Sequence, residues 1–207
     1  MYRIKLVVLL FVISNLFSST DDDYEIISVV SKIPKLANTV ISSADKIDKT
    51  FLRNSQSKDL TSLLRENLAL DTSSNGGIGQ LSSVFLRGTN SNHMLVKVNG
   101  VKINPGTAGG ASIYNLDTEL MNSVEIGYGP LSSVHGSAAI GGVMNISTKP
   151  IERVSNYKIG IHGGPDNYQK ELLSFNYGFS ENIFTSFSGS STKTDGFPAL
   201  SNSQLDR

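Results

Sequence analysis

The chain has 207 residues, with neither cysteine nor tryptophan, 19 glycines, and 18 basic residues balanced by 18 acidic ones. A net charge of zero provides no field for gripping a polyanion, which argues against nucleic acid as a partner. The lack of cysteine removes disulfide frameworks, thiolate nucleophiles and thiolate metal sites. With 17% of residues charged and many Ser, Asn and Gly, the composition suits an exported, turn-rich, β-leaning protein.

At the start, Arg3 and Lys5 precede an apolar run over residues 6–17, broken only by Ser14 and Asn15; Ser18, Ser19 and Thr20 follow, then Asp21, Asp22 and Asp23. The run is shorter than the roughly 20 residues a membrane-crossing helix needs. Its basic, apolar and small segments come in the order of a secretory signal peptide, expected over residues 1–20. Any membrane residence would then come through β-strands.

Residues 25–34 read EIISVVSKIP, a β-branched stretch near a terminus. Such a stretch suits addition as a strand to another protein's sheet edge, where main-chain hydrogen bonds supply affinity. It suits equally a first strand of the domain itself.

Residues 38–149 alternate short strand-like and helix-like pieces. Asp59 and its neighbours offer N-cap side chains, and Leu60, Leu63, Leu64 and Leu68 recur at helical spacing, predicting a helix that ends near Asp71. A glycine-rich loop is expected over 73–79, then a short strand at 84–86. Strands at 94–98 and 101–103 flank Asn99-Gly100, a pair favoured where both turn positions need positive φ. A helical stretch is expected around 116–122, a strand at 124–126 broken by Gly127-Tyr128-Gly129-Pro130, a short helical piece up to His135, and a strand at 143–147. The sum is a small α+β domain.

Beyond residue 150 the pattern changes. Tyr157, Ile159 and Ile161 alternate with Lys158, Gly160 and His162; after a turn at 163–167, Leu173, Phe175, Tyr177 and Phe179 alternate with Ser174, Asn176, Gly178 and Ser180, and Ile183, Thr185 and Phe187 begin a third segment. Such two-faced strands fit a soluble sandwich, with the apolar face on a core, or a membrane barrel, with that face on lipid. Lengths near ten residues and the aromatic content favour the barrel.

Catalysis finds no support. His93, His135 and His162 are the only histidines, and none has a second histidine at metal-ligand spacing. His135-Gly136-Ser137 lacks the G-x-S-x-G elbow, and Gly76-Gly77-Ile78-Gly79 lacks the Lys and Ser/Thr of a phosphate loop. No catalytic residue, cofactor or metal ligand is expected.

Three segments in a fixed order carry a resemblance: NGGIGQLSSVFLRGTNSNHMLVKVNGVKIN at 75–104, VEIGYGP at 124–130 and HGSAAIGGVMNISTK at 135–149. Together they resemble the plug of TonB-dependent outer-membrane receptors, in particular the cobalamin-transporting branch. Residues 27–31 are similar to a TonB box, and the alternating segments after 150 are similar to the first strands of the family's barrel.

The resemblance implies an α+β plug domain followed by the start of an antiparallel transmembrane β-barrel. The expected layout is a signal peptide at 1–20, TonB box and linker at 21–37, plug at 38–150 and the first two or three barrel strands at 151–207. A barrel of the family closes about 22 strands, and residues 151–207 suffice for about three. The chain is therefore expected to be a fragment of a longer product or a broken frame.

By the same resemblance, a scarce large solute, cobalamin, binds at the outward plug loops and barrel mouth. TonB, driven by the inner-membrane energising complex, then pairs with the box and remodels the plug. The matching ligand positions are Leu81, Ser83 and Asn90, with Ala108 and Gly109 in an apical loop. Leu81 would cover apolar ligand surface, while Ser83 and Asn90 would hydrogen-bond amide arms. The TonB-binding positions are Ile27, Ser28, Val29, Val30 and Ser31. Calcium would belong only to barrel loops beyond this sequence. The expected location is the outer membrane, with lipid as a further partner. A ferric-siderophore receptor and a barrel-free periplasmic plug are the alternatives.

The sequence departs from the family pattern in places. Asn67-Leu68-Ala69-Leu70 lacks the usual helix-stopping proline and glycine, and Asn99 replaces an acidic turn residue. Lys97 replaces an apolar strand residue, Tyr128 an arginine, and His135 a tyrosine. These changes are expected to weaken plug packing or ion pairs with the wall without abolishing the fold.

Overall fold

The computed structural model describes residues 26–30, 35–36, 43–55, 57, 59–68, 70–107, 110–149, 155–180 and 183–196. The signal peptide expected over 1–20 lies outside them.

A five-stranded sheet organises the first part of the chain. Its strands are β3 (Ala44–Ile47), β6 (Met94–Val98), β7 (Val101–Lys102), β8 (Ser123–Tyr128) and β9 (Gly142–Ser147), in the order β3-β8-β9-β6-β7. Only β6 and β9 run parallel, Met94 opposite Gly142 through Val98 opposite Ile146; the other pairs are antiparallel. The central strands are covered on both faces, so Met94, Leu95 and Val96 are all buried. On one face Val96, Val124, Ile126, Met144 and Ile146 meet two helices, α1 (Lys49–Asn54) and α2 (Leu60–Leu68). On the other, Leu95 and Val143 form a smaller cluster with Leu131 and Ala139, beside the short helix α3 (Ser132–His135).

Local chemistry explains the elements. Asp48 Oδ1 accepts the Phe51 N–H at 2.7 Å and starts α1; Asp59 Oδ1 accepts the Ser62 N–H at 2.8 Å and starts α2. The 3.6-residue spacing puts Leu60, Leu63 and Leu64 of α2 in the core. Asn99 and Gly100, at φ 51° and 85°, make the hairpin turn between β6 and β7.

Several expectations need correction. The α2 helix ends at Leu68 rather than near Asp71: Asn67 Nδ2 donates to Leu63 O at 2.9 Å, and Leu70 turns into the core. Without proline or glycine, the chain leaves the helix with Leu70 N donating back to Leu64 O at 3.5 Å. Residues 73 and 74 are not loop, because β4 (Asp71–Ser74) pairs antiparallel with β5 (Ser82–Phe85), Ser74 opposite Ser82, and only the glycine-rich tip turns. The helical stretch around 116–122 shrinks to one 3₁₀ turn, Thr118–Leu120, begun by Asp117 Oδ1 accepting from Glu119 N at 3.0 Å. β8 runs to Tyr128, past Gly127. A Cβ at 127 would lie 2.8 Å from Leu131 Cδ1, so a larger residue there would displace that leucine.

The N-terminal stretch does not join the five-stranded sheet as its first strand. β1 (Ile26–Ile27) pairs only with β2 (Lys35–Leu36), in a small antiparallel pair apart from the five-stranded sheet. Residues 27–30 then lie over the α3 face of that sheet, where Ile27 and Val29 join the smaller cluster.

The last part is an antiparallel sheet of three long strands, β10 (Asn156–Gly163), β11 (Gln169–Ser180) and β12 (Ile183–Lys193), with β11 central. Leu172 and Asn176 on β11 are buried, on the side that carries Lys170 toward Asp117 and Glu119 of the first part. The alternate residues Tyr157, Ile159, Ile161, Leu173, Phe175, Tyr177, Phe179, Ile183 and Phe187 are exposed. The aromatic ribbons thus point away from the protein's own interior. Among the described residues no helix is long and apolar enough to cross a membrane.

Candidate functional site

The five positions expected to touch ligand divide into two groups. Leu81 is 54% exposed at the entrance to β5, and strand alternation puts it on the same outward side as Ser83, while Ser82 and Val84 turn inward. The inward side adjoins a groove between α2 and the glycine-rich tip, lined by Asp59, Arg65, Thr72, Ser74, Ser82 and Tyr114. Leu81 and Ser83 therefore face away from it.

Asn90 is exposed just before a 3₁₀ turn, Ser91–His93, and its side chain does not cap that turn. Ala108 and Gly109 lie outside the described residues. Their loop returns beside Asn90: a Cβ built on Gly110 would sit 3.4 Å from Ser91 Oγ. The loop's other foot is pinned by Asn104, whose Oδ1 accepts from Val96 N at 2.7 Å and whose Nδ2 donates to Met94 O at 2.9 Å. The Asn90 turn, Asn104 and Gly110 thus lie together beside β6, whereas the Leu81–Ser83 edge belongs to the separate β4–β5 hairpin.

Of the positions expected to engage TonB, Ile27, Ser28, Val29 and Val30 are described and Ser31 is not. Ile27 and Val29 are buried, and Ser28 and Val30 are partly covered. Sequence reasoning missed what holds them, namely Glu125. The available signal was a carboxylate in the middle of the apolar strand VEI, which must find partners when buried.

Also missed was the polar junction between the two sheets. Lys170 Nζ lies 2.8 Å from Asp117 Oδ1 and 2.8 Å from Glu119 Oε1, Lys158 Nζ is 2.8 Å from Glu119 Oε2, and His162 Nε2 is 3.2 Å from Glu119 Oε1. Burial acts to raise the Glu119 pKa, but hydrogen bonds and charge attraction from Lys158 and Lys170 outweigh it and lower it from 4.5 to about 2. The replaced residues also find work. The Tyr128 hydroxyl donates to Asp45 Oδ2 at 2.6 Å, and its ring lies 4.6 Å beneath the Arg87 guanidinium. Burial first, and then Asp45, push the Tyr128 pKa up. Lys97 Nζ lies 2.8 Å from His135 Nδ1.

A two-face mixed sheet, an apical loop footed on it and a polar seam to an outward-apolar wall form the arrangement to be matched. Residues 37–143 match the family described as TonB-dependent Receptor Plug Domain. The chain belongs to this family. The chain is also 32% identical over 172 residues to the Vitamin B12 transporter BtuB of Vibrio vulnificus (strain YJ016), a match covering 83% of this chain and 28% of that protein. The chain therefore spans little more than a quarter of that relative's length.

Solved receptors share the plug's fold. The ferripyoverdine receptor of the Pseudomonas aeruginosa outer membrane superposes with a TM-score of 0.65 at 14% identity, covering 84% of this chain and 23% of that one. BauA, the ferric preacinetobactin receptor of Acinetobacter baumannii, gives 0.61 at 20% identity, covering 83% and 25%. The plug, followed by the first antiparallel strands of an unclosed barrel wall, is the architecture of this chain.

Proposed function

We propose that this chain is the plug and first wall strands of an energy-coupled outer-membrane receptor that takes up cobalamin. The observation that carries the reading is the seam of Lys158 and Lys170 with Asp117 and Glu119. It seats the plug against the polar side of a wall whose other side is apolar and aromatic. In a bilayer, that division puts the aromatic side on lipid and the plug inside the lumen. Residues 1–20 would direct export, 21–37 would carry the TonB box and linker, 38–150 would close the pore, and 151–207 would begin the barrel.

Cobalamin as cargo is supported by the 32% identity to a vitamin B12 transporter. Leu81, Ser83, Asn90 and the loop bearing Ala108 and Gly109 would meet it from the plug side. TonB would engage residues 27–31, and the work it delivers would displace the plug. A ferric siderophore is the second reading, favoured by the siderophore receptors that share the fold.

Isothermal titration of cobalamin and of ferric siderophores against the full-length gene product separates them. Heat with cobalamin, reduced by Ser83→Ala and Asn90→Ala, is the expected result. Binding of a ferric chelate with no cobalamin heat would transfer the assignment to the siderophore class.

A further inference from the structure

The wall brings three basic side chains to one point on its plug-facing side. His162 on β10 stands directly opposite Lys170 on β11, and Lys158 stands further along β10, opposite Ser174. Strand alternation gives these residues one side of the sheet, away from exposed Ile159, Ile161 and Phe175. Their nitrogens converge on a single carboxylate. Glu119 Oε1 lies 2.8 Å from Lys170 Nζ and 3.2 Å from His162 Nε2, and Glu119 Oε2 lies 2.8 Å from Lys158 Nζ. Thr192 of β12 stands opposite Lys170 on its other flank and adds a hydroxyl to the row. Among the described residues of the three strands this side carries no carboxylate, because Glu171 alternates to the other.

The fit is one-sided. Each wall nitrogen has a carboxylate oxygen within reach, whereas Asp117 Oδ2 on the plug is buried with no hydrogen-bond partner. Two ammonium groups and a ring N–H grip both oxygens of one carboxylate, as they would grip any carboxylate or phosphate. We propose that Lys158, His162 and Lys170 form an oxyanion-binding site of the wall. Glu119 fills it while the plug is seated, and a carboxylate or phosphate group fills it once the plug has moved. The site's second state rests on the proposed displacement of the plug. When Glu119 leaves, the two ammonium groups that shared it repel each other at short range, and an incoming oxyanion removes that repulsion.

An anion that binds only after the plug has left shifts the plug equilibrium toward release. The probe is inorganic phosphate at about 50 mM, compared with sodium chloride of equal ionic strength so that general screening cancels. Urea release of the plug in the full-length receptor is followed by a label on a cysteine at exposed Ser112. For a site of about 10 mM affinity, phosphate should raise the release equilibrium constant about fivefold over chloride. Phosphate otherwise strengthens folding by exclusion from protein surfaces, so a specific site acts against the general trend.

Lys158→Met and His162→Asn, each at a side chain 45% exposed, should return the phosphate-to-chloride ratio toward one. The ratio is taken within each variant, so a general loosening of the seam does not imitate loss of the site. Equal effects of phosphate and chloride on the wild type, or a phosphate effect kept by both variants, would overturn the site. The absence of any plug transition separate from the wall would instead overturn the displacement on which its second state depends. Cobalamin uptake by cells making the full-length receptor then distinguishes the source of the oxyanion. Slower uptake by His162→Asn, with cobalamin binding unaltered, assigns it to a group on the solute. Unchanged uptake beside an intact phosphate effect assigns it to a free anion, and the site stands in either case.

Discussion

Lys170, on the central strand of the wall, places its ammonium 2.8 Å from Asp117 Oδ1 on the plug, and the two side chains are only 11% and 8% exposed. A pair so far from water stabilises the seam chiefly because neither member can be left alone. Removing one partner of a buried pair costs about 3–5 kcal/mol, whereas neutralising both is often close to harmless. Lys170→Met should therefore lower the urea midpoint for plug unfolding in the full-length receptor, followed by a label on a cysteine at exposed Ser112. Adding Asp117→Asn, which keeps the acceptor for Glu119 N, should restore most of the loss. An unaltered midpoint in the single variant would show that the seam does not hold the plug.

The same seam gives a pH dependence with a definite sign. The Glu119 pKa is lowered in the folded state, from 4.5 to about 2, so its contribution is fully present above the unfolded value and lost as the carboxylate protonates. Plug retention should be level above about pH 5 and fall between about pH 4.5 and 2. Glu119→Gln should flatten that limb. Midpoints measured at stepped pH check this, and a slope indifferent to the substitution would assign the acid sensitivity to other carboxylates.

What the sequence made legible were features carried by local rules. Leu60, Leu63 and Leu64 announced α2 by spacing, Asn99-Gly100 announced the hairpin, and the alternation of Leu173, Phe175 and Tyr177 with Ser174 and Asn176 announced two-faced wall strands. What stayed hidden depended on pairing at long range. Asp71–Ser74 has no strand-like composition and becomes β4 only because Ser82–Phe85 lies beside it. Lys97 and His135 each looked like a packing defect alone. They are 38 positions apart and meet only because β6 and α3 share a face of the sheet. Glu125 was visible as an oddity in an apolar strand, but its partners Ser28 and Val29 lie nearly a hundred positions earlier.

Asn104 is a further test of the apical loop's footing. Its side chain satisfies a donor on Val96 and an acceptor on Met94, both residues buried. Asn104→Ala would leave two backbone groups unpaired at about 1–3 kcal/mol each. It should lower plug stability and speed exchange at the Val96 amide. If the footing serves ligand binding as well, the loss of cargo affinity should exceed that of an equally destabilising change elsewhere in the plug.

Gly142 opens β9 where the sheet leaves no room for a side chain. A Cβ there would lie 2.4 Å from Gly127 O on the neighbouring strand and 2.3 Å from Leu86 Cδ2. The leucine can rotate, but the backbone carbonyl cannot without breaking the β8–β9 ladder. Gly142→Ala should abolish the protease-resistant plug core in limited proteolysis, whereas Gly106→Ala, where a Cβ meets nothing within 4 Å, should not.

Adjacent residues on β12 test which side of the wall meets lipid. Phe187 is 62% exposed and pairs with Phe175 across the strands, on the side of the stacked Phe175 and Tyr177 rings. Ser188, next along the chain, pairs with Ser174 on the plug side, where Ser186 bonds Asn176. A lysine on the lipid side near the bilayer midplane costs about 2–4 kcal/mol, while one facing a wet lumen costs little. Phe187→Lys should thus impair insertion of the full-length protein into lipid vesicles, scored by protease protection, and Ser188→Lys should insert normally. The reverse order of harm would mean that the aromatic side is not the one facing lipid, and the receptor reading would fall with it.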